Sequence, residues 1–199
     1  MESAGWFIGV ELAEGHSALS LVQRGVARGN VFCFVNSCRY IETDWSRIPT
    51  MINATAEQFQ DKENTVRAVI VNSTIFGRPI VDLLRKEVTR NTAHFINVIS
   101  WGIEDIESRP WRIPILDIVG AVQVLLQNGL FRIEQHLHAD LAVERDALWR
   151  ALHAFNIDVS SLPAEAPRIW GEGPHRALVM SIALACWAAI HPEICPASK

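Results

Sequence analysis

Glu11 is the residue of this sequence whose position most needs a chemical reason. It stands near the end of an apolar run from Trp6 to Leu12, in which Phe7, Ile8, Val10 and Leu12 leave neither face polar. That pattern is expected of a strand buried on both sides of a sheet. A carboxylate there costs free energy unless something pairs with it, so Glu11 is an ion-pair partner, a metal ligand or a catalytic group. Other reactive residue types are less organised. His136 and His138 flank Leu137 and could share one strand face, but no third ligand is spaced to complete a metal site with them. The four cysteines, Cys33, Cys38, Cys186 and Cys195, contain no CxxC pair. The odd offset between Cys33 and Cys38 would put them on opposite faces of one strand, so they read as reduced and structural. Trp101, Trp111, Trp149 and Trp170 are scattered singly and read as core or boundary aromatics. Arg78, Arg85, Lys86 and Arg90 fall at helical spacing and read as a solvated helix face rather than a DNA-binding patch. No Ser-His-Asp or Cys-His arrangement follows from spacing.

These side chains need a scaffold, and composition bounds it. The chain has 199 residues, 49% hydrophobic and 20% charged, with a net charge of -4. That suits one domain spanning 1–199 with its own core and gives no general attraction to nucleic acid. No basic segment followed by an apolar stretch marks a secretory signal near Met1, so a cytoplasmic protein is expected. The longest largely apolar run, Leu178 to Ile190, is 13 residues, short of the ~20 a membrane span needs.

Read in order, the chain starts with a hairpin turning at Glu14-Gly15-His16, then a third antiparallel strand over Val31 to Ile41. A helix over Ile48 to Gln60 leads to a strand over Val66 to Val71. A second helix follows Gly77-Arg78-Pro79, with Ile80, Leu84 and Val88 as its apolar stripe, and Phe95 to Ile99 is the next strand. Alternating strands and helices imply right-handed parallel crossovers. Pro114 to Asn128 is an amphipathic helix stopped by Asn128-Gly129. A short strand over Leu130 to Ile133, a helix marked by Leu141, Leu148, Leu152 and Phe155, a loop over Ser160 to Pro167 and a last helix, His175 to Ile190, complete the chain. That helix is apolar nearly all round and must be sandwiched in the core. The expectation is an α/β fold with a mixed five- to six-stranded sheet flanked by helices.

Four stretches, in order, resemble the nuclease domain of phage large terminase subunits, members of the ribonuclease H-like superfold. Gly9-Val10-Glu11 through Ser17-Ala18-Leu19 is similar to the end of that family's first strand, with Glu11 in place of Asp. Ile70 to Arg85 is similar to its second motif, with Asn72 where the family has Asp. Ile113 to Gln127 is the most specific match. Gly173 to Trp187 is similar to the last motif, where His175 is kept but Arg176 and Ala177 replace two Asp residues.

The resemblance implies a ribonuclease H-like fold over most of the chain and, for intact members, two divalent cations held by carboxylates. Here Glu11 is the only retained acidic position, and Asn72, His175, Arg176 and Ala177 form a degenerate site. Asn72 could offer a neutral carbonyl oxygen to a cation, whereas Arg176 would bring a permanent positive charge. No phosphate-binding GxxxxGK[ST] loop is present, so no terminase motor half is expected. The expected function is a catalytically inactive nuclease-like domain of prophage origin, acting as a binding or structural module, with DNA or phage packaging-type proteins as partners and no cofactor. The alternative is a DNA endonuclease using magnesium or manganese, with an acidic site rearranged around Glu11 from Glu14, Asp82 or Glu172. A sugar-kinase or actin-like relative also starts with a strand, hairpin and acidic residue, but needs two such domains and a glycine-rich phosphate turn.

Overall fold

The computed structural model describes residues 5–13, 17–27, 29–41, 44–59, 65–74, 78–88, 93–99, 111–133, 145–154 and 175–191. Its seven strands are β1 (Gly5–Glu11), β2 (Ser17–Ala27), β3 (Asn30–Ile41), β4 (Thr65–Asn72), β5 (Ala93–Ile99), β6 (Trp111–Pro114) and β7 (Phe131–Ile133). The helices are α1 (Ile48–Phe59), entered through a 3-10 turn at Trp45–Arg47, α2 (Arg78–Glu87), α3 (Ile115–Gln127), α4 (Arg145–Ala154) and α5 (His175–Ile190). The strands form one sheet in the order β6-β5-β4-β1-β2-β3-β7. As the crossover rule requires, β1 pairs antiparallel with β2 and parallel with β4. The sheet is mixed as expected, but seven strands replace the expected five or six. The unforeseen strand is β6, whose four residues are too few to show a period of two.

Each face of the sheet has its own core. On one face, Phe7, Ala18, Val35, Ile70 and Ile96 pack against α3, α4 and α5. On the other, Trp6, Ile8, Val10, Leu21 and Val71 pack against α1 and α2, with Ile52 and Leu84 as contacts. This double burial explains why β1 reads as continuously apolar: all seven of its residues are buried. In α5 every residue from Ala177 to Ala189 is buried, matching its all-round apolar sequence.

Close approach fixes α5 on the sheet. A Cβ placed on Gly9 would overlap the Ser181 carbonyl oxygen and lie 2.8 Å from the Ala185 amide nitrogen, so the helix backbone rests directly on the β1 backbone. Beside that contact the Ser181 hydroxyl lies 2.6 Å from the Ser20 hydroxyl, and it donates to the Leu178 carbonyl at 2.9 Å. The Ser20 hydroxyl also lies 3.1 Å from the Cys38 thiol. These bonds satisfy polar groups that would otherwise be buried without partners.

The cysteines follow a different geometry from the one expected. Cys33, Cys38 and Cys186 are buried free thiols in the same core. An irregularity in the β2–β3 register lets Leu21 pair with Ser37 and Val22 with Val35, leaving Asn36 as an extra residue. That bulge reverses the alternation, so an odd offset brings Cys33 and Cys38 to one face. Cys195, His136, His138, Trp101, Trp170, Arg90 and the hairpin turn at 14–16 lie outside the described residues. Trp111 is buried and stacks on His94 at 4.6 Å, and Trp149 meets Phe131 edge-on, which is the expected packing role. Arg85 and Lys86 are exposed on α2, where Arg85 pairs with Asp82 at 3.8 Å and lies over Phe95.

Candidate functional site

The two central parallel strands end together. Glu11 closes β1 and Asn72 closes β4, and the two are register partners with side chains on the α5 face. Asn72 Nδ2 donates to Glu11 Oε2 at 2.8 Å. The other end of the amide is also committed: Asn72 Oδ1 accepts from the Thr74 backbone N–H at 3.1 Å and from the Thr74 hydroxyl at 2.6 Å. Thr74 Oγ1 accepts from the Val98 N–H at 2.7 Å, and Ser73 bonds the Ile96 carbonyl through both its N–H and its hydroxyl. Reversing the amide would lose both Thr74 donors and turn an oxygen towards the Glu11 carboxylate. The carbonyl oxygen expected to face a cation is therefore held away from Glu11, and an N–H stands in its place.

Glu11 is 1% exposed, and its second oxygen, Oε1, has no hydrogen-bond partner among the described residues. Burial pushes its carboxyl up to about 7, against the opposing influence of the Asn72 hydrogen bond and the Arg176 charge. Arg176, in the first turn of α5, acts through space: its Nε is also buried without a hydrogen-bond partner, and no hydrogen bond joins it to Glu11. Ala177 is packed into the core. His175 turns to another partner, its Nδ1 lying 3.0 Å from the Tyr40 hydroxyl.

Tyr40 belongs to this site although nothing in its sequence neighbourhood announces it. Glu11 pairs with Ala18 and Ala18 with Tyr40, so the three side chains share a row across β1, β2 and β3. The signal is the strand register, which the Asn36 bulge hides from simple alternation. Of the other carboxylates considered for a rearranged site, the one that is described does not join it. Asp82 sits exposed on α2, which packs against the opposite face of the sheet, while Glu14 and Glu172 lie outside the described residues.

The fold has solved counterparts. The human cytomegalovirus terminase nuclease domain superposes with a TM-score of 0.57 at 10% identity, covering 99% of this chain and 90% of that one. The fold is ribonuclease H-like. A manganese-soaked form of the same viral domain gives a TM-score of 0.55 at 13% identity over the same shares. RuvC of Thermus thermophilus gives 0.46 at 12% identity, covering 97% of this chain and 98% of that one. No family model and no curated protein sequence matches the chain.

A ribonuclease H-like nuclease site implies divalent cations, and the residues described here do not fit them. Hard cations require several oxygen ligands. Around Glu11 stand an amide N–H from Asn72 and a guanidinium charge from Arg176, and among the described residues no three His, Cys, Asp or Glu side chains cluster to hold a metal. Calorimetric titration with manganese is therefore expected to show millimolar binding or none. Two sites of micromolar affinity would mean that carboxylates beyond the described residues have taken over.

Proposed function

We propose that this ribonuclease H-like domain is catalytically silent and serves as a binding or structural module for DNA or for packaging-type proteins, of prophage origin and without a cofactor. The observation that carries this reading is the Asn72 amide, locked by Thr74 with its N–H on Glu11, in the place where the resembling nucleases hold a second carboxylate. A hydrogen bond there satisfies one Glu11 oxygen and puts a donor where a cation would sit. Arg176 supports the same reading, because a guanidinium stays charged at any accessible pH and repels a cation.

Nicking of a supercoiled plasmid in manganese tests it. The protein should cleave no faster than its Glu11→Gln variant. Reproducible cleavage abolished by that substitution would overturn the proposal in favour of a divalent-metal-dependent DNA endonuclease with a rearranged acidic site.

A further inference from the structure

On the face opposite Glu11, the sheet is wider than the helices packed on it among the described residues. The core beneath α1 and α2 takes its side chains from β1, β2, β4 and β5 and the last residue of β3. Phe32 and Phe34 point to this face but belong to neither core. Instead they stack on each other, with ring centroids 6.4 Å apart and planes 25° from parallel. Both are half-buried.

The register gives this pair specific neighbours. Trp6 pairs with Gln23, Gln23 with Phe34, and Phe34 with Arg132, forming one row across β1, β2, β3 and β7. Arg132 is exposed at the end of the row. Gly25 lies opposite Phe32, and a Cβ there would come within 3.2 Å of the Phe34 ring, so the missing side chain leaves the ring its space. The strands β2, β3 and β7 carry no Asp or Glu. Of their arginines, Arg132 shares the row of Phe34. Arg24 pairs with Gly5 and Cys33 on the opposite face, and Arg39 is buried against Met51 and Thr55 of α1, so Arg132 is the cation beside the aromatic pair.

We propose that this stretch of sheet binds single-stranded nucleic acid, with bases stacking on Phe32 and Phe34, Gln23 bonding a base edge and Arg132 holding the phosphate chain. Stacked aromatics on a sheet beside a cation are what unpaired bases recognise, since every base has a π-face. A duplex hides those faces. The site lies across the sheet from Glu11 and does not depend on the proposed silence of that residue.

Fluorescence anisotropy of labelled oligothymidylate and oligouridylate, each roughly 16 nucleotides, in chelator, tests the proposal and separates DNA from RNA. Phe34→Ala should weaken binding roughly tenfold or more, whereas Phe34→Trp should keep it. Arg132→Ala should reduce the salt dependence by about one phosphate contact, and Lys86→Ala on α2 should not. Thermal melting of each variant checks folding; if Phe34→Ala fails to fold, Phe34→Trp and Arg132→Ala carry the test. No binding by the parent, equal competition by duplex, or indifference to both Phe34 and Arg132 would overturn the proposal. So would a dimer that Phe34→Ala dissolves without any oligonucleotide binding, which would make the face an interface between copies of the chain.

Discussion

Gly9→Ala should cost the domain at least about 3 kcal/mol, at or beyond the upper end of ordinary overpacking. The new methyl would overlap the Ser181 carbonyl oxygen and crowd the Ala185 amide nitrogen, both of them backbone atoms of α5. No rotamer change relieves such a clash, so the helix must lift off β1 and expose part of the core that Met180, Leu184 and Trp187 fill. Against a typical total of 5–15 kcal/mol, that loss unfolds a large fraction of molecules on mild heating. Gly120→Ala is the matched control, since Gly120 lies inside α3 with nothing within 4 Å of the added atom. It should stabilise by up to about 1 kcal/mol through helix propensity. Urea denaturation of the two variants decides the matter, and equal midpoints would mean that α5 does not rest on Gly9.

The second large effect concerns pH. Glu11 titrates at about 7 in the folded state against 4.5 in the unfolded chain. Because the folded value is the higher one, the folded state keeps its proton longer as pH rises. Stability from this group is fully present below pH 4.5, declines from there to about 7 and stays low above it. At about 1.4 kcal/mol per pH unit, the cost of holding the buried carboxylate at pH 8 is about 3 kcal/mol. Glu11→Gln should flatten the stability profile across that window and should melt above the parent at pH 8, less about 1 kcal/mol for an imperfectly paired amide. Removing the favourable charge with Arg176→Ala should steepen the parent's decline. A parent whose stability does not change between pH 5 and 8 would show that Glu11 is satisfied by partners beyond the described residues.

Much of the architecture was legible because its segments have one dominant environment. The helix His175–Ile190 occupies the range its apolar sequence suggests, and the strand at Val66 pairs parallel with the first strand, as strand order and crossover handedness require. The third helix falls one residue inside each expected end, at Ile115 and Gln127. What was hidden depends on pairing rather than on pattern. A four-residue edge strand such as Trp111–Pro114 carries too little periodicity, and one extra residue at Asn36 turns every later side chain of β3 to the other face. The candidate site divides the same way. Glu11 at a buried strand end stands out from residue types alone, and the resemblance supplies Asn72 and Arg176. Which end of the Asn72 amide meets Glu11 is set by Thr74 and, through it, Val98. The place of Tyr40 in the row is set by two successive strand registers. No local pattern encodes either.

The resting of α5 on Gly9 also has a consequence for how the chain reaches this state. The surfaces that meet there come from near opposite ends of the sequence, and closing so long a loop costs entropy before any contact repays it. During synthesis the first three strands emerge long before residues 175–190. Until then Phe7, Ala18, Val22 and Val35 have no α5 to bury them. A nascent or truncated chain ending before α5 therefore carries an apolar sheet face without its central helix, the kind of surface that aggregates or recruits chaperones. Docking of the last helix is the step that ends that exposure.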